Sequence, residues 1–112
     1  GIILSWNIGV ARVLGYSEDE FVGKHLDIIF STGDVEAGIE LIERQTAVEL
    51  GRASDERWHI RKDGARIWVS GTLVAISDGR LRCFAKIMRD DTRTKQLEQE
   101  LEHLRAILNS KN

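Results

Sequence analysis

The residue types that most often carry chemistry are few in this chain and lie far apart. His25, His59 and His103 fall on different predicted elements, and Cys83 has no second ligand-type side chain at the spacing of a metal site. The glycines stand at predicted helix ends and turns rather than in a phosphate-binding loop. We therefore expect no catalysis by this chain and no metal site.

The element that must position any site is a β-hairpin in residues 55–76. Two runs of alternating apolar and polar residues flank Lys62-Asp63-Gly64, and Asp-Gly between such runs favours a hairpin because glycine accepts the positive φ of the turn. A two-residue loop would pair His59 with Trp68, whereas a three-residue loop brings both tryptophans onto one face. We favour the three-residue loop, which predicts these pairs: Arg61 with Ala65, Trp58 with Trp68, and His59 with Ile67.

A third strand is predicted at residues 81–89, after a second turn at Ser77-Asp78-Gly79. Because side chains alternate along a strand, Cys83, Ala85 and Ile87 share one of its faces. The other face of this strand carries Phe84, Lys86 and Met88. In the hairpin, the face opposite the tryptophans carries Ile67, Val69, Gly71, Leu73 and Ala75. Both faces of the hairpin are largely apolar, which indicates a sheet that is covered on both sides.

The residues before the hairpin predict one strand and several helices. Residues 1–6 are typical of a short buried strand, residues 8–14 of a helix that ends at Gly15, and residues 24–30 of a short helix or turn. Ser17 and Glu20 match a capping box. One long helix is predicted at residues 33–50, with Asp34 as its N-cap and a core-facing stripe of Val35, Ile39, Ile42, Thr46 and Leu50. This order predicts an α+β fold with helices on one face of an antiparallel sheet.

The last residues of the chain have a different character from the rest. Leu97, Leu101, Leu104 and Leu108 follow the spacing of a coiled-coil seam over about two heptads. One interpretation is a C-terminal helix that folds back on its own sheet. We favour the other, a linker helix that pairs with a second copy of the chain and continues into another domain, because its polar faces are wide.

Composition limits the possible classes of protein. The 112 residues are enough for one domain, and a net charge of −2 gives no reason to expect nucleic acid as a partner. A single cysteine excludes an internal disulfide and suits a reducing cytosol, so we expect a cytoplasmic location. The longest apolar runs are far shorter than the ~20 residues of a membrane span. The chain starts without Met and without a signal-peptide pattern, so we expect a piece of a longer protein.

Four stretches of the chain follow one another in a recognisable order: SWN, LGYSEDEFVGK, RWHIRKDGARIWVSG and LRCFAKIMRDDT. Together they resemble a bacterial PAS domain with its C-terminal PAC segment, over nearly the whole chain. The resemblance implies a five-stranded antiparallel sheet whose first strand, before Gly1, is missing here. It also implies a sensory domain at residues 1–91 and a signalling linker helix at residues 92–112. Such domains commonly precede histidine kinase, diguanylate cyclase or methyl-accepting modules.

The resemblance further implies a small cavity on the inner face of the sheet. Its candidate lining residues are His59, Ile67, Val69, Gly71, Leu73, Phe84, Lys86 and Met88. Relatives of the LOV photoreceptor type carry a cysteine on the short helix before the long one, and haem-binding relatives carry a histidine on the long helix. Residues 24–30 contain no cysteine and residues 34–50 no histidine, so neither usual site is expected and the cofactor is unknown.

Two polar residues of that predicted cavity are open to two interpretations. An inward Lys86 implies an anionic ligand or a carboxylate neighbour, because an unpaired buried lysine is costly. A small carboxylate bound by His59 and Lys86 is one hypothesis. The favoured alternative is a filled core, in which His59 bonds to the backbone and Lys86 reaches outward past the sheet edge. Gly71 indicates either a bulge or room for a ligand.

The expected function is that of a sensory, regulatory module rather than an enzyme. A small ligand or a partner would shift the last strand, and Asp90 and Thr92 would relay the shift to the linker helix and an output domain. A homodimer is expected, with Trp58, Trp68 and the leucine seam (Leu97, Leu101, Leu104 and Leu108) as its candidate interface. The alternatives are a ligand-free PAS module that serves only assembly, and a redox or light sensor with unconventional cofactor ligation.

Overall fold

The computed structural model describes residues 1–80 and 82–110. Its helices are α1 (Ile8–Leu14), α2 (Glu18–Phe21), a 3-10 helix (Leu26–Ile29), α3 (Thr32–Glu36), α4 (Ile39–Leu50) and α5 (Thr92–Ser110). Its strands are β1 (Arg52–Ile60), β2 (Arg66–Ser77) and β3 (Arg82–Asp90). The predicted first residue of the third strand, Leu81, and the last two residues of the predicted linker lie outside the described residues. The α+β class is confirmed.

The hairpin has the predicted three-residue loop. The Arg61 amide donates to the Ala65 carbonyl at 2.8 Å, and Gly64 has a φ of +86°. Glycine is needed there because a side chain disfavours that conformation. The predicted pairs of Trp58 with Trp68 and of His59 with Ile67 are confirmed.

The third strand pairs with β2 in an antiparallel sheet of order β1-β2-β3. It ends at Asp90, one residue later than predicted. Three inward positions of β3 face β2 as follows: Phe84 opposite Ala75, Lys86 opposite Leu73, and Met88 opposite Gly71. The predicted inner face of this strand is therefore confirmed.

The predicted strand at residues 1–6 is wrong as a member of the sheet. This segment makes a single antiparallel bridge, between Ile2 and His25. The Ile3 amide donates to the Lys24 carbonyl at 2.8 Å, and the Gly23 amide donates to the Ile3 carbonyl at 2.8 Å. The segment thus pairs with the turn after α2 and buries Ile3 in the core. The sheet in the described part of the chain has three strands.

The short helices carry the caps that the sequence predicts. The Val10 amide donates to the Asn7 side chain at 3.2 Å, and α1 ends at Gly15 with a φ of +80°. Ser17 and Glu20 form both bonds of the capping box. These caps satisfy amides that a helix of one or two turns leaves free.

The predicted long helix over residues 33–50 is wrong, because the chain forms two helices there. Ser31 caps α3 by accepting from the Asp34 amide at 3.3 Å, so Asp34 is not the cap. Gly38 then takes a φ of +70°, which breaks the helix before Ile39. Gly38 itself was the available signal in the sequence, since it lies five residues after Gly33, where the long helix was predicted to start.

The predicted apolar stripe of the long helix is wrong at three of its five residues, whereas Ile39 packs against the core and Thr46 is half-buried. Ile42 is 51% exposed and Leu50 is 75% exposed, and Val35 is exposed as well. The buried face of α4 instead carries Glu40, Glu43 and Ala47. The predicted stripe has helical spacing, but α4 buries a different side from the one that carries this stripe. The apolar core lies elsewhere, between the short helices and the sheet, and includes Leu14, Phe21, Ile29, Phe30, Ile67 and Val69.

The C-terminal helix α5 extends away from the sheet. None of its described residues is buried, and Leu97, Leu101, Leu104 and Leu108 are 47–64% exposed. The interpretation in which this helix folds back over its own sheet is therefore wrong. Among the described residues, no helix is both long and apolar enough to cross a membrane.

Candidate functional site

The inner face of the sheet holds a cluster of charged side chains around Gly71. Gly71 pairs with Asp55 on one side and Met88 on the other without a bulge. A Cβ atom at Gly71 would lie 3.5 Å from Asp55 Oδ1 and 3.6 Å from Lys86 Cε. The interpretation of Gly71 as a bulge is therefore wrong, and the chain's own charged groups occupy the space beside this glycine.

Strand β1 contributes an arginine to this cluster. Alternation places Asp55, Arg57 and His59 on the same inner face. The Arg57 guanidinium forms an ion pair with Asp55 and lies 3.2 Å from Asp34 on α3. Its Nε atom is also 3.2 Å from Glu43 Oε1 on α4. One arginine therefore connects β1 to both helices that cover this end of the sheet.

Strand β3 contributes Lys86, whose side chain is only 9% exposed. Its ammonium lies 3.4 Å from Glu43 Oε2 and 4.8 Å from the centre of the Phe30 ring. The predicted carboxylate neighbour of an inward Lys86 is thus Glu43. The alternative in which Lys86 reaches outward past the sheet edge is wrong. We name the five residues Asp34, Glu43, Asp55, Arg57 and Lys86 the inner-face ion cluster.

The cluster contains one carboxylate more than it has cations. Burial and, to a smaller extent, the neighbouring Asp55 carboxylate together raise the pKa of Glu43 to about 7. Burial also acts to raise the pKa of Asp55, but hydrogen bonds from Glu43 and Arg57 outweigh it and hold that pKa below its ordinary value. An excess of negative charge disfavours a small anionic ligand at this position.

His59 borders the cluster and is fully buried. Its Nδ1 atom lies 3.1 Å from the Ile29 carbonyl, so Nδ1 carries the proton and donates. The Phe30 ring packs edge-on against the imidazole at 4.7 Å. Burial and, to a smaller extent, the charge of Lys86 together lower the pKa of His59 to about 4, so the ring is neutral near pH 7. The favoured alternative of a core histidine bonded to the backbone matches this geometry.

The remaining candidate cavity residues lie on the inner face of the sheet in different surroundings. Ile67 and Val69 are buried in the apolar core, and Met88 packs against it. Leu73 is buried. Phe84 instead borders a shallow open depression near α4, with Leu41, Arg44, Gln45, Val48, Glu49 and Arg82.

A second arrangement lies where β3 passes into α5. The Thr92 hydroxyl accepts a hydrogen bond from the Trp68 amide at 3.0 Å and donates to Asp90 Oδ1. The Asp91 amide donates to the Trp68 carbonyl at 2.7 Å. The predicted relay residues Asp90 and Thr92 therefore bind the start of α5 to the central strand. We name this arrangement the strand–helix junction.

Sequence reasoning missed Asp91, the most connected residue of the junction. Its carboxylate accepts from Ser70 and from two nitrogens of Arg89, at 2.8 and 3.0 Å. These bonds lower the pKa of Asp91, with the Arg89 bond contributing most. An acidic residue directly before the first helical residue was the available signal, because such a residue commonly caps a helix.

The outer face of the sheet carries the two tryptophans. Trp58 and Trp68 pack edge to face with ring centres 5.2 Å apart. The ammonium of Lys95 on α5 lies 4.3 Å from the Trp68 ring centre, and the Arg66 guanidinium lies 4.2 Å from the Trp58 ring centre. Both tryptophans are half-buried by contacts within the chain. Farther along this face, Ser54, Ser70, Thr72 and Ile87 line an open depression.

Three ligand-type side chains also meet near the start of α4. Atoms of His25, Asp27 and Glu40 lie within 4.8 Å of one another. The Glu40 carboxylate is already bound by the Arg44 guanidinium, at 2.8 and 3.1 Å. His25 Nδ1 accepts from the Asp27 amide at 3.1 Å. The Gly1 ammonium lies 3.2 Å from the Glu40 carboxylate, so two cations already neutralise Glu40 and the arrangement gives no reason to assign a metal.

Comparison with known proteins agrees with this architecture. Residues 1–93 match the family model described as "PAS domain". The chain is 34% identical over 99 residues to Two-component system protein A of Emericella nidulans, which covers 88% of this chain and 14% of that protein. The chain thus spans about one seventh of the length of that relative.

Solved structures with a similar fold are also PAS domains. The PAS domain of a Colwellia psychrerythraea protein superposes with a TM-score of 0.74 and 27% identity, over 83% of this chain and 80% of that one. The PAS domain of a LuxR-family transcriptional regulator from Burkholderia thailandensis was solved in complex with ethanol. It superposes with a TM-score of 0.67 and 18% identity, over 80% of each chain. PAS domains are regulatory sensor modules rather than catalysts. The chain belongs to the PAS domain family.

Proposed function

We propose that this PAS domain is a sensory input module of a signal-transduction protein and passes its state to an output domain through α5. The family supports a sensory role, and the similarity to a two-component system protein supports a histidine kinase or related protein as the parent. A cytoplasmic location, a bacterial source and a PAC segment remain predictions from the sequence. The observation that carries the proposal is the set of bonds from Trp68 on β2 to Asp91 and Thr92.

The junction gives a physical route from the inner face to α5. Val69 and Gly71 on β2 line the inner face, while Trp68 and Ser70 on the same strand hold α5 and Asp91. A shift of β2 against β3 therefore changes the position or angle of the first turn of α5. Such coupling requires two arrangements that bind the signal with different affinity.

We propose that α5 transmits this change by pairing with α5 of a second copy. Its exposed leucines form a seam at a and d spacing, and side chains of Glu98, Glu100 and Glu102 solvate other faces. Trp68, with Trp58 packed against it, lies near the N-terminal end of the same helix, where it contacts Lys95. A pair of about two heptads is short, so contacts between the domains would have to add to it.

An experiment on the junction tests the proposal. Thr92→Val removes the hydroxyl but keeps the β-branched shape, and Thr94→Val makes the same change at an exposed site in the same helix turn. In the parent protein, we expect Thr92→Val to uncouple the output activity from its signal and Thr94→Val to leave it coupled. Equal signalling by both variants would refute the proposed route.

A second candidate function is a PAS module that serves assembly alone. The observation that favours it is the filling of the inner face by core side chains and by the inner-face ion cluster. Native mass spectrometry of the freshly purified chain, with an absorbance scan, separates the two. A bound mass or a visible band supports a sensor with a ligand or a cofactor, and a ligand-free dimer supports the assembly role.

A further inference from the structure

Two carboxylates in the inner-face ion cluster compete for one hydrogen. Arg57 Nε carries a single hydrogen, which it donates to Asp55 Oδ2. Glu43 Oε1 lies 3.2 Å from the same nitrogen but receives no hydrogen bond from it. This oxygen is buried, and Glu43 as a whole is 9% exposed. A buried oxygen without a donor is costly when it carries negative charge.

The charged groups around Glu43 come from α3, α4, β1 and β3. Lys86 on β3 binds its other oxygen, Oε2, at 3.4 Å. Gly71 on β2 brings no charge. Among the described residues, the other charged or titratable groups of this region are Asp34 on α3, Glu40 on α4 with its partners Arg44 and the Gly1 ammonium, and Asp55, Arg57 and His59 on β1.

Within the inner-face ion cluster the cations do not balance the acids. Glu40 lies outside this cluster and is bound by Arg44 at 2.8 Å and by the Gly1 ammonium at 3.2 Å. His59 is neutral, since burial lowers its pKa to about 4. Asp34, Glu43 and Asp55 then share the two charges of Arg57 and Lys86, which leaves one carboxylate in excess. One added proton makes the cluster neutral.

We propose that Glu43 and Asp55 form a proton-binding site that takes up one proton from solvent, so that pH is an input to this domain. The proton adds to Glu43 Oε1, and the resulting hydroxyl donates to the Asp55 carboxylate. No other bond forms or breaks. Arg57 keeps its contacts with Asp34 and Asp55, while Lys86 loses the charge of its partner. Burial, which raises the pKa of Glu43 to about 7, supports uptake near neutrality.

Proton binding at this site changes contacts that hold α4 against the sheet. With Glu43 ionised, two charged contacts join α4 to the strands, one to Arg57 and one to Lys86. With Glu43 protonated, both lose their charge attraction. Lys86 lies three residues before Arg89, which binds Asp91 in the junction. The use of the proton as a signal rests on the proposed function, whereas the proton site itself does not.

NMR of the carboxyl carbons in this chain tests the proton-binding site directly. With ¹³Cδ-labelled glutamate and ¹³Cγ-labelled aspartate, we expect one glutamate to titrate with a midpoint near 7, against 4.5 for an ordinary one. Glu43→Gln should remove that titration, and the exposed Glu49→Gln on the same helix should keep it. Asp55→Asn removes a negative neighbour and should lower the Glu43 midpoint by at least one pH unit.

The outcomes separate the proton site from its use. A Glu43 midpoint below about 5 in the wild-type chain overturns the proposal. A Glu43 midpoint near 7 that Asp55→Asn does not change overturns the proposal that Glu43 and Asp55 share the proton. If Glu43 titrates near 7 and the amide signals of Trp68 and Thr92 follow the same midpoint, the site and its coupling to the junction are both supported. If those amide signals stay constant, the proton is bound but is not an input, and the junction experiment decides the proposed function separately.

Discussion

The Lys86 ammonium lies 3.4 Å from the Glu43 carboxylate, and this contact joins the last strand to the helix that covers the inner face. Both side chains are about nine-tenths buried. A charged contact at this depth sets which side of α4 faces the sheet. It also makes the packing of α4 depend on the charge of Glu43.

Lys86→Met should destabilise the fold more at high pH than at low pH. At pH 8 the substitution leaves the ionised Glu43 with one cation fewer, which costs about 3 kcal/mol of unfolding free energy. At pH 5 Glu43 is protonated in the fold, since burial raises its pKa to about 7, so the loss should be smaller. Urea unfolding at both pH values measures the difference, with the exposed Lys24→Met as control. An equal loss at pH 5 and pH 8 would contradict the charge pairing.

His59 should make the fold less stable in acid. Burial lowers the pKa of His59 from 6.5 to about 4, so the unfolded chain binds a proton that the fold does not. The stability that depends on the neutral form of His59 is intact above pH 6.5 and is lost as the pH falls through 4. The total loss in the free energy of unfolding is about 3 kcal/mol. His59→Asn keeps a donor for the Ile29 carbonyl but cannot titrate. The free energy of unfolding of this variant should approach that of the wild type as the pH falls, and a constant gap would count against a neutral buried His59.

Glu43 should have the opposite dependence on pH. Burial raises its pKa from 4.5 to about 7, so the fold binds a proton that the unfolded chain releases. The stabilisation is fully present below pH 4.5 and is lost as the pH rises through 7. Glu43→Gln should therefore have a flatter stability profile between pH 5 and 8 than Glu49→Gln. The two profiles would coincide if Glu43 were an ordinary surface carboxylate.

Gly71 should tolerate one methyl group but not a branched side chain. A Cβ atom there would make ordinary contacts, at 3.5 Å to Asp55 and 3.6 Å to Lys86. Gly71→Ala should change the unfolding free energy by less than about 1 kcal/mol, whereas Gly71→Val should cost about 2 kcal/mol because its methyl groups enter the ion cluster. Thermal unfolding of both variants checks this. A severe loss with alanine would mean that the space at Gly71 is tighter than the structure shows.

The junction hydrogen bond should protect the Trp68 amide from exchange with solvent. Thr92→Val removes its acceptor, and a hydrogen bond worth about 1 kcal/mol corresponds to about fivefold faster exchange. Amide hydrogen exchange by NMR measures the rate, with Thr94→Val as the matched control. Unchanged exchange at Trp68 in Thr92→Val would show that the threonine hydroxyl does not hold the strand.

The sheet could be predicted from the sequence because its signals are local. The Asp63-Gly64 turn and strict alternation gave the pairing of Trp58 with Trp68 and the burial of His59. The same alternation places Asp55 and Arg57 beside His59. The sequence interpretation followed only the apolar residues, His59 and Lys86, and assigned no role to Asp55 or Arg57. The inner-face ion cluster was missed for this reason.

The helices were harder to predict, because the side of a helix that is buried depends on the element of the chain that packs against it. On α4 a stripe of apolar residues and a stripe with Glu40 and Glu43 have equally good helical spacing. Arg57 and Lys86 on the sheet select the glutamates, and such a choice between faces needs contacts that are distant in sequence. The break at Gly38 was a local signal, and it was missed.

The central claim is that a change at the inner face reaches α5 through the junction. The most direct test measures distances between spin labels at Glu100→Cys on paired chains, with Cys83→Ser to remove the native thiol. We predict that the distance distribution differs between pH 5.5 and pH 8.5, that Glu43→Gln fixes it in the low-pH form, and that Thr92→Val abolishes the pH dependence. A distribution that is the same at both pH values would contradict pH as the input. The route through the junction would be contradicted by a pH dependence that persists in Thr92→Val, or by the absence of any distance between chains.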